Sequence, residues 1–469
     1  MNQPRTSHPS LTTDGVTTMA LVLHFLHRKS SHVRITLPLV ISLVAGASVA
    51  IFPEGTLFIS LATSLVLFVL VSNNLYDLLL YACPLIFLFA QFQIAAFDLT
   101  RWMFLLLLGL LSAYLIRKQK LAINPVAIGI SLMAFYSMVT SYLSYYPTVS
   151  LLKSISVLLL AVFLLFVAPA IQLLHPRIGA TEYMLRMYLY MAILIVISNA
   201  MFFSIRPSAS FLGGRFRGWF MNPNGIGAVY GVFFLPILGF EIGKHRMGFV
   251  KLGLLFTFLL AAIELLASQS RAGILAGVAS LFILTLGQKR WASRIIIVGM
   301  LGLVVSAIHL GDPENDLIRR FVYRNEIELE GSGRLPVWIE TWNRFLARPL
   351  FGSGLGVANT GSSMESVVFS TGGYTIEKGN SFLGALEELG LVGVTGLVAT
   401  LLVPIWRACW KGLNAVNLPK DKSNLVLIAI IVAGLFNATF EAWLLSVGSF
   451  LCFSFWIFAS LLLNTESDL

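Results

Sequence analysis

Long, uninterrupted apolar runs are the feature of this sequence that most restricts its fold. The chain has 469 residues, of which 57% are hydrophobic and 12% are charged, and its mean hydropathy is +0.84. Soluble domains are about half apolar and about a quarter charged. Because the runs are continuous and do not alternate, they exclude an outer-membrane β-barrel. The sequence therefore predicts an all-α polytopic membrane protein.

We predict about 12–14 membrane-spanning helices, since a span needs ~20 residues. The apolar runs lie near 35–52, 56–72, 78–97, 102–116, 124–143, 150–174, 184–205, 224–241, 249–267, 272–287, 294–310, 382–405, 424–439 and 442–463. With a cytoplasmic N-terminus, every strongly basic short loop lies on the cytoplasmic side, as the positive-inside rule requires. We therefore expect both termini in the cytoplasm, a cytosolic tail over 1–32, N-terminal transmembrane helices over 33–205 and C-terminal transmembrane helices over 406–469.

Charge and cysteine content exclude several other classes. The net charge of +10 lies mostly in the predicted cytoplasmic loops, so it does not indicate nucleic-acid binding. The three cysteines are scattered and have no spacing typical of a metal site or a disulfide. The glycine-rich stretch 352–356 is not a dinucleotide loop, because no strand precedes it in a βαβ unit.

A single predicted outward segment is long, at 311–381. Within it, apolar residues recur at helical spacing, namely Leu335, Ile339, Trp342 and Leu346. Pro349 follows and ends the predicted amphipathic helix. Such a helix either lies on the bilayer interface or forms a small lid packed against the bundle.

Arginines stand in the predicted outward loops, where positive charge is normally scarce. Arg215 and Arg217 belong to a glycine-rich segment, Arg271 follows Ser268-Gln269-Ser270, and Arg334 follows Gly333. A guanidinium group binds phosphate oxygens through two parallel hydrogen bonds, so this pattern suits a diphosphate. The alternative is that these arginines only contact the phosphates of lipid headgroups.

Two predicted helix starts accompany these arginines. Asn222 is a candidate N-cap, followed by Pro223 at the first helical position and by Asn224. Ser270 is a candidate cap for the helix that begins at Arg271. Each start would direct backbone amide donors outward, which favours an anion.

Four glutamates are candidates for a base that takes a proton from a sugar hydroxyl: Glu264, Glu377, Glu388 and Glu441. Asn380 stands at a third predicted outward helix start. Glu264 lies about two turns inside the membrane, where a carboxylate needs a partner or a wet cavity, and Arg271 is the expected partner. A structural ion pair that fixes the helix hairpin is the alternative role of Glu264.

Together these blocks resemble the O-antigen ligase and polysaccharide polymerase superfamily of bacterial inner-membrane proteins. The blocks occur in the family's order at 217–225, 268–271, 333–334 with Trp338, 349–356 and 380–383 with Glu388 and Gly390. The resemblance covers about residues 210–395. It predicts an O-antigen ligase-like catalytic region over 206–405, which includes the periplasmic loop 311–381 with its amphipathic helix.

The resemblance implies a glycosyltransferase that needs neither a metal nor another cofactor. Its donor would be an undecaprenyl-diphosphate-linked glycan at the periplasmic face of the inner membrane. Residues matching Arg217, Arg271 and Arg334 would hold the diphosphate, with Arg215 beside them, while an acceptor hydroxyl displaces it with inversion. The expected partners are this lipid-linked oligosaccharide, the lipid bilayer and other polysaccharide-assembly proteins, with no nucleic acid.

The sequence departs from the family at one position. Ligases of this family carry a histidine just before the asparagine that ends the long loop, and here that residue is Gly379. Polymerases depend less on this histidine, so we expect a polymerase of repeat units for an exopolysaccharide or O-antigen. Two alternatives remain: a ligase that transfers the glycan to a lipid or protein acceptor, and a flippase or exporter of lipid-linked sugars.

Overall fold

The computed structural model describes residues 75–89, 95–118, 124–286, 334–357, 379–414 and 423–462. The predicted cytosolic tail and the apolar runs near 35–52, 56–72 and 294–310 lie outside these described residues.

The described part is built from helices whose ends differ from those of the predicted apolar runs, in most cases by a few residues. These helices are α1 (Leu75–Phe89), α2 (Ala95–Ile116), α3 (Pro125–Ser141), α4 (Pro147–Leu174), α5 (Ala180–Ile205), α6 (Pro223–Val229), α7 (Leu235–Lys244), α8 (Phe249–Ala267), α9 (Arg271–Leu286), α10 (Arg334–Ala347), α11 (Ser381–Asn414), α12 (Ser423–Ala438) and α13 (Phe450–Leu461). A π-helical turn, Tyr230–Phe234, joins α6 to α7, so that both form one continuous span, Pro223–Lys244.

Helix length and composition confirm an all-α polytopic membrane protein. Within the described residues, five helices are long and apolar enough to cross a bilayer: Pro147–Leu174, Ala180–Ile205, Pro223–Lys244, Phe249–Ala267 and Ser381–Leu402. Six shorter apolar helices accompany them. Continuous apolar sequence favours this outcome, because a helix satisfies its backbone hydrogen bonds internally wherever water is absent.

Two predicted boundaries are wrong. The run near 78–97 contains the end of α1 at Phe89 and the start of α2 at Ala95. The run near 442–463 begins with turns, and its helix starts only at Phe450, where Ser449 accepts a hydrogen bond from the Cys452 amide. Apolar composition does not distinguish a buried turn from a helix, so the periodicity placed both boundaries too loosely.

Asparagine followed by proline starts two of the helices. The side chain of Asn124 accepts hydrogen bonds from the amides of Val126 and Ala127 at the start of α3. Asn222 does the same for α6, where it accepts from the Asn224 amide at 2.9 Å. A cap of this kind satisfies amides that have no partner within the helix, and proline at the first position costs no hydrogen bond.

The core of the bundle joins the first described helices to the last one. Helix α13 packs against α1, α4 and α5 through buried aromatic rings. Phe87 stacks on Phe453 with 4.4 Å between ring centroids, and the Tyr188 hydroxyl donates to Ser454 Oγ at 2.7 Å. The C-terminal helix therefore belongs to the same packed unit as the N-terminal helices.

Glycines bring α6 and α9 into close contact. A Cβ atom on Gly273 would overlap the Gly227 carbonyl, and one on Gly231 would overlap the Gly273 carbonyl oxygen. Small residues let two membrane helices approach until their backbones touch. The N-terminal ends of α6 and α9 are thereby held side by side.

The amphipathic helix α10 turns its apolar stripe away from the bundle. Phe345 and Thr341 are buried toward α11, whereas the predicted apolar residues are exposed by 40–55%, namely Leu335, Ile339, Trp342 and Leu346. An exposed apolar stripe in a membrane protein suits the bilayer interface. Of the two predicted alternatives, this arrangement favours the interfacial helix.

The segment after α10 is fixed to α11 by main-chain hydrogen bonds. The Leu391 amide donates to the Pro349 carbonyl at 2.8 Å, and the Gly354 amide donates to the Glu388 carbonyl at 3.0 Å. These bonds surround Gly390, whose φ of +66° kinks α11. Glycine adopts this left-handed conformation without the clash that a Cβ atom would cause.

Candidate functional site

A short β-hairpin carries the first predicted arginines. Its strands, Phe211–Leu212 and Arg215–Phe216, pair antiparallel with Leu212 opposite Arg215. Gly213 and Gly214 form the turn with φ of +58° and +76°. Two consecutive positive φ values suit a tight two-residue hairpin turn and require residues such as glycine. The apolar pattern of the sequence does not predict this hairpin, although the Gly-Gly pair between apolar residues is its signal.

Arg215 fastens the hairpin to both helix starts. Its Nε donates to the Ser268 carbonyl at 3.0 Å, and its Nη2 donates to Asn224 Oδ1 at 2.7 Å. The residue is 9% exposed. Ser268 lies in the turn between α8 and α9, whereas Asn224 lies in the first turn of α6. Arg215 therefore has a structural role in assembling this region.

The two predicted helix starts meet beneath the hairpin. The N-cap role of Asn222 is confirmed by the bond from the Asn224 amide. Ser270 immediately precedes α9, its carbonyl accepts from the Ile274 amide at 2.8 Å, and its side chain packs against Gly227 of α6. Two adjacent helix N-termini concentrate amide donors and positive partial charge at one place.

Arg217 and Arg271 complete this region, which we call the hairpin cluster: Arg215, Arg217, Asn222, Asn224, Ser270 and Arg271. Arg217 is half-buried, its Nε donates to the Ala209 carbonyl at 3.2 Å, and its amide donates to the Ser210 carbonyl at 2.8 Å. Arg271 is the first residue of α9 and is exposed. Helix N-termini with arginines at or near them are groups that bind phosphorylated anions.

A second group of predicted residues gathers where α10, α11 and α12 meet. Arg334 Nη2 donates to Glu441 Oε1 at 2.7 Å, and Nη1 donates to the Phe440 carbonyl. Glu441 is 8% exposed. The predicted diphosphate ligand Arg334 and the predicted base Glu441 are therefore partners in one ion pair.

Gly379 lies directly against this ion pair. Its φ is +62°, and a Cβ atom there would lie 3.4 Å from Trp338 Nε1 and 3.5 Å from the side chain of Arg334. Trp338 Nε1 is buried and has no hydrogen-bond partner within the described residues. Asn380 follows and caps α11 by accepting from the amides of Phe382 and Leu383. The position where ligases carry histidine thus faces Arg334 and Trp338.

Ser381 connects the start of α11 with the chain after α12. Its Oγ donates to the Glu441 carbonyl at 2.6 Å and accepts from the amides of Trp443 and Leu444 at 3.0 and 3.1 Å. We call Arg334, Trp338, Gly379, Asn380, Ser381 and Glu441 the loop cluster. Three bonds to one buried hydroxyl hold the segment of Glu441 in a fixed position, and no local sequence pattern predicts them.

The other glutamates occupy different surroundings. Glu388 Oε2 accepts from the Gly356 amide at 2.8 Å and so stabilises the glycine-rich turn after α10. Glu264 is 4% exposed and accepts from the Tyr230 hydroxyl at 2.7 Å. The predicted pairing of Glu264 with Arg271 is wrong, because within the described residues the carboxylate bonds to Tyr230 of the neighbouring span instead. Glu377 lies outside the described residues.

Both clusters depend on the same helices. Helix α9, which begins at Arg271 in the hairpin cluster, packs along α12, whose end leads to Glu441 in the loop cluster. Gly434 of α12 also contacts Val232 in the π-helical turn of the α6–α7 span. The tertiary packing thus couples the helix of Arg271 with the helix that leads to Glu441, although these two residues are 170 positions apart in sequence.

These features define a polytopic membrane protein in which two helix N-termini meet, with Arg271 at one start and Arg215 bonded to the first turn of the other. Residues 256–398 match the protein-family model described as O-antigen ligase, which supports the O-antigen ligase-related superfamily. The matched segment includes Arg271, Arg334 and Glu388, whereas the β-hairpin and Glu441 lie on either side of it. A comparison with curated proteins finds no match for the chain.

Proposed function

We propose that this protein transfers glycans from an undecaprenyl-diphosphate carrier at the periplasmic face of the bacterial inner membrane, and that it polymerises repeat units of an exopolysaccharide or O-antigen. The observation that carries the proposal is the meeting of two helix N-termini beside a hairpin that Arg215 ties to both, with Arg271 at one start and Arg217 in the loop that leads to the other. A diphosphate matches this arrangement, because fixed cations and amide donors both bind its oxygens.

The arginines of the hairpin cluster have different roles in this proposal. Arg215 is occupied by Ser268 and Asn224 and holds the hairpin in place. Arg217 and Arg271 bind the diphosphate: Arg271 begins α9, and Arg217 follows two residues after Arg215, which ties the hairpin to both helix starts. When the glycan leaves the carrier, charge grows on the diphosphate, and preorganised cations stabilise that charge without reorganisation.

The transfer step exchanges one glycosidic bond for another. An oxygen of the acceptor sugar attacks the anomeric carbon, the bond to the diphosphate breaks, and the carrier leaves with the bonding electrons. A base receives the proton of the acceptor hydroxyl. We propose Glu441 for this base, because Arg334 joins it to position 379, where related ligases carry histidine.

Arg334 then orients the base and does not bind the donor diphosphate directly. Its two nitrogens hold the Glu441 carboxylate and the adjacent Phe440 carbonyl. Ser381 fixes the same segment from the other side. Trp338 Nε1 beside Gly379 is a further donor that a sugar hydroxyl of the acceptor would engage.

Helix α10 places this chemistry at the membrane surface. Its exposed stripe, which includes Trp342 and Leu346, lies in the bilayer interface, while Arg334 at its first turn reaches the loop cluster. A lipid-linked donor keeps its reactive sugar at this same level. The catalytic region over 206–405, flanked by transmembrane helices at 33–205 and 406–469, is part of the proposal.

A ligase is the second candidate, and the description of the matching family model favours it. Residue 379 argues for the polymerase, because polymerases depend less on the histidine that related ligases carry at this position, and here it is a glycine with a φ of +62°. A ligase with this structure would use Glu441 in the same role and would differ in its acceptor.

The test uses purified protein in liposomes with a synthetic undecaprenyl-diphosphate oligosaccharide as the only sugar substrate, and the products are separated by length. The proposal expects a ladder of repeats that forms in the presence of a metal chelator. Glu441→Gln in the same liposomes serves as the inactive control.

Other outcomes separate the alternatives. One-step transfer that appears only after a lipid or protein acceptor is added identifies a ligase. Movement of the lipid-linked sugar between leaflets without any transfer, in protein with an unchanged melting temperature, identifies a flippase. Either result contradicts the polymerase proposal.

A further inference from the structure

Three buried polar side chains form a directional hydrogen-bond chain inside the bundle. Asn199 Nδ2 of α5 donates to the Tyr230 hydroxyl at 2.7 Å, and this hydroxyl donates to Glu264 Oε2 of α8 at 2.7 Å. Asn199 and Tyr230 are completely buried, and Glu264 is 4% exposed. Three membrane helices are thereby linked through one hydroxyl.

The chain ends at the loop that carries Arg217. Asn199 Oδ1 accepts a hydrogen bond from the Trp219 amide at 3.0 Å. Gly218, with a φ of +53°, makes room for this bond, because a Cβ atom there would overlap the Asn199 amide group. Ser198 next to Asn199 accepts from Trp219 Nε1 at 3.1 Å. The two residues after Arg217 are thus held in place by their contacts with α5.

Arg217 is held from its other side as well. Its amide donates to the Ser210 carbonyl at 2.8 Å, and its Nε donates to the Ala209 carbonyl at 3.2 Å. The backbone around Arg217 is therefore fixed on one side by the 3₁₀ turn Ser208–Ser210 and on the other by Asn199. Tyr230 orients Asn199, and Glu264 orients Tyr230.

Burial of the Glu264 carboxylate inside a membrane bundle is energetically costly, so we expect this residue to have a role that justifies the cost. Acidic residues are rare in membrane helices, and those that occur face a partner or a wet cavity. Glu264 Oε1 is buried and has no hydrogen-bond partner within the described residues. The side chain accepts from Tyr230, which in turn accepts from Asn199, and it is almost fully buried. These contacts leave Glu264 unsuited to act as the base.

The backbone around Tyr230 is specialised for this contact. Tyr230 begins the π-helical turn Tyr230–Phe234, which interrupts an otherwise regular span. A π-helical turn adds one residue to a helical turn and so redirects the side chains near it, and such turns are frequent at functional sites. Gly231 beside Tyr230 packs on the Gly273 carbonyl of α9, which holds the turn against the helix of Arg271.

We infer that Glu264 is a positioning residue, which acts through Tyr230 and Asn199 to hold the Arg217 loop over the paired helix starts. The inference rests on the proposed function in one respect only, namely that Arg217 binds the donor diphosphate. Helix α8 fixes the same loop a second time, because Ser268 at its end accepts the bond from Arg215. One helix thereby sets the positions of two hairpin arginines.

Three variants separate positioning from proton transfer. Glu264→Gln keeps an acceptor for the Tyr230 hydroxyl, Glu264→Leu removes it, and Tyr230→Phe breaks the chain in the middle at constant volume. We expect Glu264→Gln to retain most of the wild-type activity. The other two variants should lower kcat/KM for the donor by roughly 10- to 100-fold. The larger part of that loss should appear in KM for the donor, since the variants displace a binding group.

Hydrogen exchange provides a second readout that needs no activity. The amides of the peptide 210–222 are measured by mass spectrometry in nanodiscs, because the Trp219 and Arg217 amides report the loop directly. We expect faster exchange in Glu264→Leu and Tyr230→Phe, and wild-type exchange in Glu264→Gln. Tyr188→Phe is the matched control, since its equally buried hydroxyl donates to Ser454 at the same 2.7 Å but lies outside the chain.

Each remaining outcome overturns the inference. If Glu264→Gln is as inactive as Glu264→Leu while its loop exchange stays normal, the carboxylate itself takes part in the reaction. If Tyr230→Phe leaves both activity and exchange unchanged, the chain does not hold the loop. Should the protein transfer no glycan at all, the exchange measurement still decides the positioning role, so failure of the proposed function is recognised separately.

Discussion

Arg215 Nε donates a hydrogen bond of 3.0 Å to the carbonyl oxygen of Ser268, 53 residues later in the chain. This bond joins a β-hairpin to the turn between two membrane helices, and Arg215 Nη2 extends the contact to Asn224 at the start of α6. A guanidinium group has enough donors to make these contacts at fixed angles. The hairpin, the turn and the helix start therefore behave as one rigid assembly.

Arg215→Lys should destabilise this assembly. Lysine cannot reproduce the separate Nε and Nη2 bonds, and each lost hydrogen bond to a charged donor costs about 1.5–3 kcal/mol. We expect a lower melting temperature in detergent and faster hydrogen exchange over 211–216, together with reduced transfer. Arg246→Lys, at an exposed position after α7, is the control and should match the wild type. If Arg215→Lys leaves the stability unchanged, the structural role of Arg215 is contradicted and diphosphate binding becomes its expected role.

Arg217→Lys and Arg271→Lys should have the opposite profile. Because these arginines bind substrate in our proposal, we expect roughly 100-fold or greater loss of transfer, as is typical when one preorganised stabilising group is removed. Arg217→Lys loses one side-chain bond, to the Ala209 carbonyl, so its melting temperature should fall less than that of Arg215→Lys, which loses two. Inorganic pyrophosphate should protect the wild type against thermal unfolding and should fail to protect either variant. Full activity in both variants would refute the diphosphate assignment.

Glu441→Gln should abolish most transfer, while Glu388→Gln should not. Glu441 contacts Arg334 beside Gly379, whereas Glu388 accepts a main-chain bond from Gly356. Loss of a positioned general base lowers the rate by roughly 100- to 10,000-fold. Glu388→Gln retains an acceptor and should keep the rate within a few-fold of the wild type. The reverse order of effects would move the base to α11.

Gly273→Ala should inactivate the protein without touching any charged residue. Its methyl group would overlap the Gly227 carbonyl and force α6 away from α9, which separates the two helix starts. Gly253→Ala is the control, since no atom lies within 4 Å of the added methyl group. In the helix interior, that control should be neutral or slightly stabilising, because alanine exceeds glycine in helix propensity by about 1 kcal/mol. Equal activity of both variants would show that close approach of these helices is dispensable.

Ser381→Ala should weaken the loop cluster. The Ser381 hydroxyl contacts the Glu441 carbonyl and two amides, and each buried group left without a partner costs about 1–3 kcal/mol. We expect a lower melting temperature and reduced transfer. Ser204→Ala is the control, since Ser204 is exposed and bonds only to the Ala200 carbonyl of its own helix. A stable and fully active Ser381→Ala variant would contradict the role of this hydroxyl.

Some of the local structure follows from sequence because it depends on neighbouring residues. Continuous apolar runs predict spans, and Asn222 with Pro223 predicts the start of α6, since capping involves amides only two or three residues away. The spacing of Leu335, Ile339 and Trp342 predicts α10 for the same reason. The boundary near Phe450 failed, because composition alone does not separate a buried turn from a helix.

Only the tertiary structure shows how the roles are divided among the charged residues. The sequence treats Arg215 and Arg217 alike, yet Arg215 binds Ser268 and Asn224. Arg271 was the expected partner of Glu264, and Tyr230 is the actual one. Such pairings join residues from separate helices, and their distances depend on how the helices pack.

By itself, the sequence determined that this chain is an all-α membrane protein. It also determined which arginines lie between apolar runs and which residues, such as Asn222, start helices. Those properties arise from hydrophobicity and from hydrogen bonds between near neighbours. Tertiary structure alone decided that α6 and α9 touch at Gly227 and Gly273, and that Arg334 pairs with Glu441. Contacts of this kind follow from shape complementarity between helix surfaces, which no single stretch of sequence encodes.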